Sequence, residues 1–308
     1  MKKKVLLLVS TIIALSGCSK SNAPSFEKFN NEVSFDTFKE CIVENKYSDY
    51  LKFENSCSGK VYYGVDASLQ SSIGDVAILN DEGINEREIT FAFDSVNNRS
   101  SFKETGESSF VSTGAEIDEQ RVSKTTVSTQ YQYNDKLSSF IFIDMKEKTY
   151  KKYDNKNITD SILYSIDDEY VIFQSLYKQY ETAEEENKSR YGFYVDGSYL
   201  TMTYKYEDSK ESIGAETSEV VQKTVTTYDY LYQLSINDGK FNFRSRCSTT
   251  TEDRYFETTA LHLKDEYVKT VTTNTCSLEI GTDNPKIKEV DITSYSSLDK
   301  DPEGGLLA

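Results

Sequence analysis

Aromatic and β-branched side chains recur at every second position through most of this chain, and that periodicity leaves few folds open. Ile89, Phe91 and Phe93 form one series, and Leu200, Met202, Tyr204 and Tyr206 form another. The longest is Tyr228, Tyr230, Tyr232, Leu234 and Ile236, followed after a turn by Phe241 and Phe243. Alternate residues of a strand point to opposite faces, so each series predicts a strand with one packed and one wetted face. Tyrosine, phenylalanine, threonine and valine also suit a pleated, half-buried surface. The joints carry turn residues: Asn97-Asn98, Asn134-Asp135, Asp196-Gly197 and Asn237-Asp238-Gly239. Joints this short predict antiparallel hairpins.

Two segments break the pattern. From Ser34 to Tyr47, Phe35, Phe38, Cys41 and Ile42 recur at helical spacing behind a serine that can cap. From Asp167 to Asn187, Val171, Ile172, Leu176 and Tyr180 supply an apolar face. Asp167 and Asp168 suit the positive end of that helix, and Glu184, Glu185 and Glu186 mark its fraying end. The chain also echoes itself. Gly114-Ala115-Glu116 returns as Gly214-Ala215-Glu216, and Lys124-Thr125-Thr126-Val127-Ser128-Thr129 as Lys223-Thr224-Val225-Thr226-Thr227. Asn134-Asp135 returns as Asn237-Asp238 in the same order. The expected fold is mainly β within the α+β class. It has curved antiparallel sheet with two helices, built as a tandem duplication of a helix-plus-meander unit. The units are expected over 33–160 and 161–282, behind a signal at 1–17 and a flexible tether at 18–32. One further strand is expected over Ile287 to Tyr295, inside a mostly disordered tail at 283–308.

Acidic residues outnumber basic ones by 51 to 35 in 308 residues, for a formal charge of -16. No basic face is available to displace counterions from a phosphate backbone, so nucleic acid is not a partner. One histidine, His262, excludes a histidine-rich metal site and leaves a single candidate for histidine-based catalysis.

The N-terminus begins Met-Lys-Lys-Lys, continues through an apolar run from Val5 to Ala14, and ends Leu15-Ser16-Gly17-Cys18. A basic start and a short apolar core form a secretory signal, too short to span a bilayer. With cysteine at the cut, the segment resembles the lipobox of bacterial lipoproteins. The resemblance implies cleavage before Cys18 by signal peptidase II, which recognises Leu15, Ser16 and Gly17. It also implies a diacylglyceryl group on the Cys18 sulfur and a place on the extracytoplasmic side of the cell membrane. Two acyl chains hold far more firmly than one, at about 0.8 kcal/mol per buried methylene. The alternative is a plain secretory signal with a cysteine there by chance.

Cys41, Cys57, Cys247 and Cys276 remain. Outside the cytoplasm they allow two disulfides in three connectivities, and local pairing, Cys41 with Cys57 and Cys247 with Cys276, is expected. Free buried thiols are the alternative; without Cys-x-x-Cys, zinc is a poor third.

Catalytic patterns are missing. His262 lies in Ala260-Leu261-His262-Leu263, which reads as strand, with no Gly-x-Ser-x-Gly elbow in the chain. Ser-x-x-Lys occurs from Ser25, Ser100, Ser175 and Ser297, without the companion motifs of serine acylases. Oxygen-rich runs at Asn80 to Gly83 and Asp154 to Asn157 miss the calcium-loop spacing. No cofactor, metal or enzymatic activity is implied.

The signal, tether, helix, hairpins and aromatic strands such as Gln130-Tyr131-Gln132-Tyr133 through Phe140 are similar to the LolA and LppX group of lipoprotein and lipid carriers. That resemblance covers residues 33 to 282 and implies an unclosed half-barrel whose helices leave room for a lipid or other apolar ligand. The other reading is a cell-surface structural or protein-interaction module with a filled core.

Overall fold

The computed structural model describes residues 24–47, 50, 56–97, 99–114, 121–134, 139–154, 159–214, 219–259, 261–283, 285–288 and 291–298. Helix α1 spans Phe35–Asn45, α2 spans Thr159–Thr182, and α3 is the single turn Glu185–Lys188. The strands are β1 (Cys57–Ile73), β2 (Val76–Asp94), β3 (Arg99–Gly114), β4 (Arg121–Asn134), β5 (Ser139–Asp144) and β6 (Thr149–Asp154). After the second helix come β7 (Tyr191–Asp196), β8 (Tyr199–Ile213), β9 (Val220–Asn237), β10 (Lys240–Tyr255), β11 (Glu266–Gly281) and β12 (Ser296–Ser297).

All of them join one 12-stranded sheet, ordered β12-β6-β5-β4-β3-β2-β1-β11-β10-β9-β8-β7. Each helix therefore leads into a meander, and the two meanders meet where β1 pairs antiparallel with β11. The fold is α+β and dominated by antiparallel sheet, as the alternation requires. The echoed words fall on two long hairpins, Gly114 and Lys124 on β3–β4, the third of the first meander, and Gly214 and Lys223 on β8–β9, the second of the other. The β9–β10 turn has Asp238 and Gly239 both at positive φ, the geometry that two-residue hairpins favour.

Where their side chains are described, the helices pack on one face of the sheet, at one end. Phe35 and Phe38 of α1 pack on Phe193 of β7. Phe173 of α2 packs on Tyr232 and Phe243. Beneath them lie Leu200, Met202, Leu234, Phe241, Leu278, Ile280, Val61, Ile89, Phe91 and Phe102, all buried. Gly59 is required in this layer, because a Cβ there would stand 2.4 Å from the Phe91 ring. Ser34 caps α1, its hydroxyl accepting from the Thr37 N–H at 3.2 Å. Such a cap is worth about 1 kcal/mol.

Three local expectations need correction. Helix α2 begins at Thr159, not near Asp167, because apolar residues continue at helical spacing through Ile162 and Ile166. Its buried face is Tyr170, Phe173 and Leu176, while Val171 and Ile172 point to solvent. The strand expected over Ile287 to Tyr295 does not form among the described residues; β12 alone pairs, parallel to β6.

Candidate functional site

The long strands outrun their helices. β2, at 19 residues, extends about 60 Å. Beyond the row Tyr230, Cys247 and Asn274, the strands of β1 to β4 and β8 to β11 continue, and among the described residues no helix side chain packs on them. In that far half both sides of the sheet meet water, and few side chains are fully buried. It is a single layer with two chemically different faces.

The face that continues the helix side carries fewer charges, among them Asp81, Asp208, Lys210 and Asp253. Across β9, β10 and β11 it carries the row Thr226, Thr251 and Thr270 and the row Tyr228, Thr249 and Thr272. Where helix cover ends, tyrosines bridge the change in polarity: Tyr191 to Tyr204 at 4.9 Å, Tyr204 to Tyr230 at 5.8 Å, and Tyr206 stacked on Tyr228 at 6.1 Å. The Arg190 guanidinium lies 3.7 Å from the centre of the Tyr206 ring, a cation–π contact. Partial burial pushes the Tyr191, Tyr204 and Tyr230 phenols up from their ordinary values.

The back face is ionic. Lys60 pairs with Glu88 at 2.7 Å, Lys240 with Glu279 at 2.6 Å and Lys269 with Glu252 at 3.2 Å. Lys124 pairs with Glu107 at 2.5 Å and Lys223 with Glu211 at 3.6 Å. Exposed pairs of this kind are worth about 0–1 kcal/mol each; their larger effect is to keep a bare sheet face hydrated. Asp66 is held above the usual carboxylate range by partial burial, with Glu82 adding to the effect.

The segment leading to α1 is strapped across this back face. Arg244 donates from Nη1 to the Ser25 carbonyl at 2.7 Å. The Gln233 side-chain amide accepts from the Glu27 N–H at 3.0 Å and donates to the Glu27 carbonyl at 3.1 Å, imitating a neighbouring strand. Phe29 packs on Tyr194. Asn31 and Val33 then bond to the edge of β7, through Val195 N–H to the Asn31 carbonyl and Val33 N–H to the Phe193 carbonyl. The chain rounds that edge and enters α1 on the opposite face. The described part of the expected tether, 24–32, is thus hydrogen-bonded to the sheet. Sequence reading missed the strap, because Gln233 and Arg244 stand at the back-face positions of regular strands, where polar residues are expected in any case.

The expected sites fall in several places. Leu15, Ser16, Gly17 and Cys18 lie outside the described residues. Cys57, Cys247 and Cys276 are buried, Cys41 is partly exposed, and none of the four is in a disulfide. The expected local pairs are not made. Cys247 stands opposite Asn274, and Cys276 opposite Ser245, so the two cysteines are diagonal neighbours. That places them about 7–8 Å apart, beyond the usual reach of a disulfide. Burial pushes the Cys57 thiol up to about 11.

His262 is not on a strand but in the loop between β10 and β11. Its ring stacks on Tyr255 at 4.0 Å, and its Nδ1 lies 3.3 Å from Glu266 Oε2. Glu266 orders this loop: it also accepts from the Leu263 N–H at 2.9 Å and the Ser71 hydroxyl at 3.2 Å. A recess of about 320 Å³ beside the loop is lined by Ser72, Arg254, Tyr255, Phe256, Glu266 and Tyr267. Among the described residues, the imidazole's hydrogen-bond partner is the Glu266 carboxylate rather than a serine or cysteine. Asn80 to Gly83 lies within β2 rather than in a loop. Among the described residues, no group of three or more His, Cys, Asp or Glu side chains is placed to hold a metal ion. No described helix is long and apolar enough to cross a membrane.

No family model and no curated protein matches this chain. Among solved structures it is similar at low level to one titled "Lipid-protein interactions in lipovitellin", with 11% identity, TM-score 0.28, and coverage of 77% of this chain but only 27% of that one. It is also similar to OccK5 of Pseudomonas aeruginosa, with 6% identity, TM-score 0.22, and coverage of 72% and 98%. OprB of Pseudomonas putida gives 6% identity, TM-score 0.20, and coverage of 82% and 100%. None of these likenesses is close enough to carry an argument about what the chain does.

Proposed function

We propose that this chain is an extracytoplasmic lipoprotein, anchored through Cys18, that acts as a non-enzymatic interaction module. One observation carries the interaction reading: about half of each long strand lies outside the helix layer and offers two uncovered sheet faces. A sheet serving only as the wall of a ligand cavity would end where its covering helices end. The described core supports the same reading, since the Phe173, Tyr232 and Phe243 rings meet one another in it, Phe38 packs on Phe193, and Phe241 on Tyr47. The anchor rests on the Leu15-Ser16-Gly17-Cys18 pattern. Apolar burial of two acyl chains then holds an acidic body that anionic lipid headgroups repel.

Two measurements test this. Cells given labelled palmitate should label the wild-type protein and not Cys18→Ala; label in the variant, or wild type released unlabelled into the medium, overturns the anchor. Solvent extraction of the purified Cys18→Ala body, followed by mass spectrometry, should release no stoichiometric lipid. A stoichiometric lipid overturns the module reading in favour of a carrier.

A further inference from the structure

The strap fixes where the chain leaves the body. Pro24 and Ser25 line a recess on the back face with Lys60, Tyr62, Glu88 and Arg244, over the central strands β10, β11, β1 and β2. Arg244 donates to the Ser25 carbonyl, and the Arg246 guanidinium lies 5.9 Å from the centre of the Phe26 ring. From there the strap crosses β9 to the β7 edge. Its upstream end therefore opens over the middle of the sheet. Pro24 is six residues from Cys18, and six fully extended residues span about 20 Å.

We propose that the back face lies against the outer surface of the bilayer that holds Cys18. The opposite face, with its threonine rows and tyrosines, is then the one turned to partners. This rests on the anchor proposed above. Reach excludes two other orientations. Arg254, near the far end of β10, is ten residues from Arg244, about 33 Å, so the body does not stand on its far tip. To bring the helix side down, the tether must first pass Lys240 at the near end of β10, about 13 Å away. It must then cross the helix layer, about 10 Å more.

Charge separates lying flat from standing on the near end. On β1 to β4 and β8 to β11 the back-face positions carry basic and acidic residues in equal number. This face is thus neutral, although the chain as a whole is at -16. The helices are not: α1 carries Asp36, Glu40 and Glu44 against Lys39, and α2 holds five acids against one base. Anionic headgroups repel such helices within a Debye length, about 8 Å at physiological salt. Lying on the back face keeps their outer side a sheet and a helix diameter away, beyond that range. Standing on the near end sets them beside the lipid.

The test compares adjacent positions on opposite faces. Ser108 and Ser109 are neighbours on β3, and Thr250 and Thr251 on β10; all four are half-buried. Ser109 and Thr250 belong to the back face. Each is replaced in turn by cysteine in the full chain carrying Cys41→Ser. The lipidated proteins, purified in detergent, are added to preformed vesicles of phosphatidylcholine and phosphatidylglycerol. Labelling by a bulky polyethylene-glycol maleimide is timed there and on the matching Cys18→Ala bodies in solution. Ser109→Cys and Thr250→Cys should lose most of their labelling rate on vesicles, while Ser108→Cys and Thr251→Cys keep theirs. Inserting about 20 Gly/Ser residues between Asn22 and Ala23 adds about 25 Å of reach and should restore the lost rate. Protein that floats with the vesicles yet labels alike on both faces overturns the orientation and leaves the anchor standing. Protection of the front-face positions, or of the back face after the insertion, overturns the orientation as well. Protein that does not float with the vesicles overturns the anchor, and the orientation with it.

Discussion

Truncating one phenylalanine on each side of the polarity boundary tests whether the sheet has a core at one end only. Phe243 is 1% exposed. Its ring meets Tyr170 edge-on at 5.9 Å and lies 6.3 Å from both Phe173 and Tyr232. Phe243→Ala loses the transfer energy of the ring and leaves a cavity that α2 seals, costing about 3–5 kcal/mol. Phe110 is on the same face of the sheet but beyond the helices, and it is 42% exposed. Full burial of a phenylalanine is worth about 1.5–3 kcal/mol, so a half-exposed ring gives up about 1 kcal/mol, and water fills the space. The gap between the variants is then about 3 kcal/mol, or about 1 M in urea midpoint for an m-value of about 3 kcal/mol/M. With no tryptophan in the chain, urea melts are followed by far-ultraviolet circular dichroism. Equal midpoint shifts for Phe110→Ala and Phe243→Ala would refute the single-layer reading, because both ends would then hold a sealed core.

Three further outcomes follow from particular contacts. Gln233 is 2% exposed and bonds both Glu27 backbone groups; Gln233→Ala should cost about 1–3 kcal/mol locally. Faster tryptic cleavage after Lys28, read by mass spectrometry, reports the loss, and an unchanged rate would mean the strap is held elsewhere. Cys57 should alkylate slowly in the native protein at pH 8, because burial keeps its thiol protonated, and all four body thiols should react once it is unfolded; a shortfall would reveal bridging. Asp94 accepts from the Asn97 side chain at 2.7 Å and its N–H at 3.0 Å, and these bonds hold its carboxyl below the usual range. A depressed folded value means that its stabilisation is complete above the unfolded value near 3.9 and lost as pH falls through the folded one. Thermal melts should therefore separate wild type from Asp94→Asn at pH 6 and bring them together near pH 2.

Alternation was legible wherever one face is dry. Tyr228 to Ile236 announces its register because Tyr232 and Leu234 face the core, and the Ser34 cap and the Asp238-Gly239 turn are local chemistry that needs no tertiary context. In α2 the spacing placed Leu176 and Tyr180 on the packed face, as found. Val171 and Ile172 are apolar yet exposed, and only packing against β9 and β10 chooses Tyr170 and Phe173 in their place. His262 lies between two leucines and imitates a strand, yet it sits in a loop ordered by Glu266, which the distant Ser71 hydroxyl helps to hold.

The far half was harder to read for a general reason. When both faces of a sheet meet water, neither position of the two-residue period needs to be apolar, and the signal that specifies register fades. Lys223 to Thr227 against Thr250 to Arg254 is such a pairing: threonine on both faces, with charges interspersed. Its register must come instead from continuity with the packed end and from cross-strand pairs such as Lys223 with Glu211. The same weakness leaves β4 and β8 open as edges. Charged residues at positions 124, 207, 208 and 211 blunt those edges by keeping them hydrated.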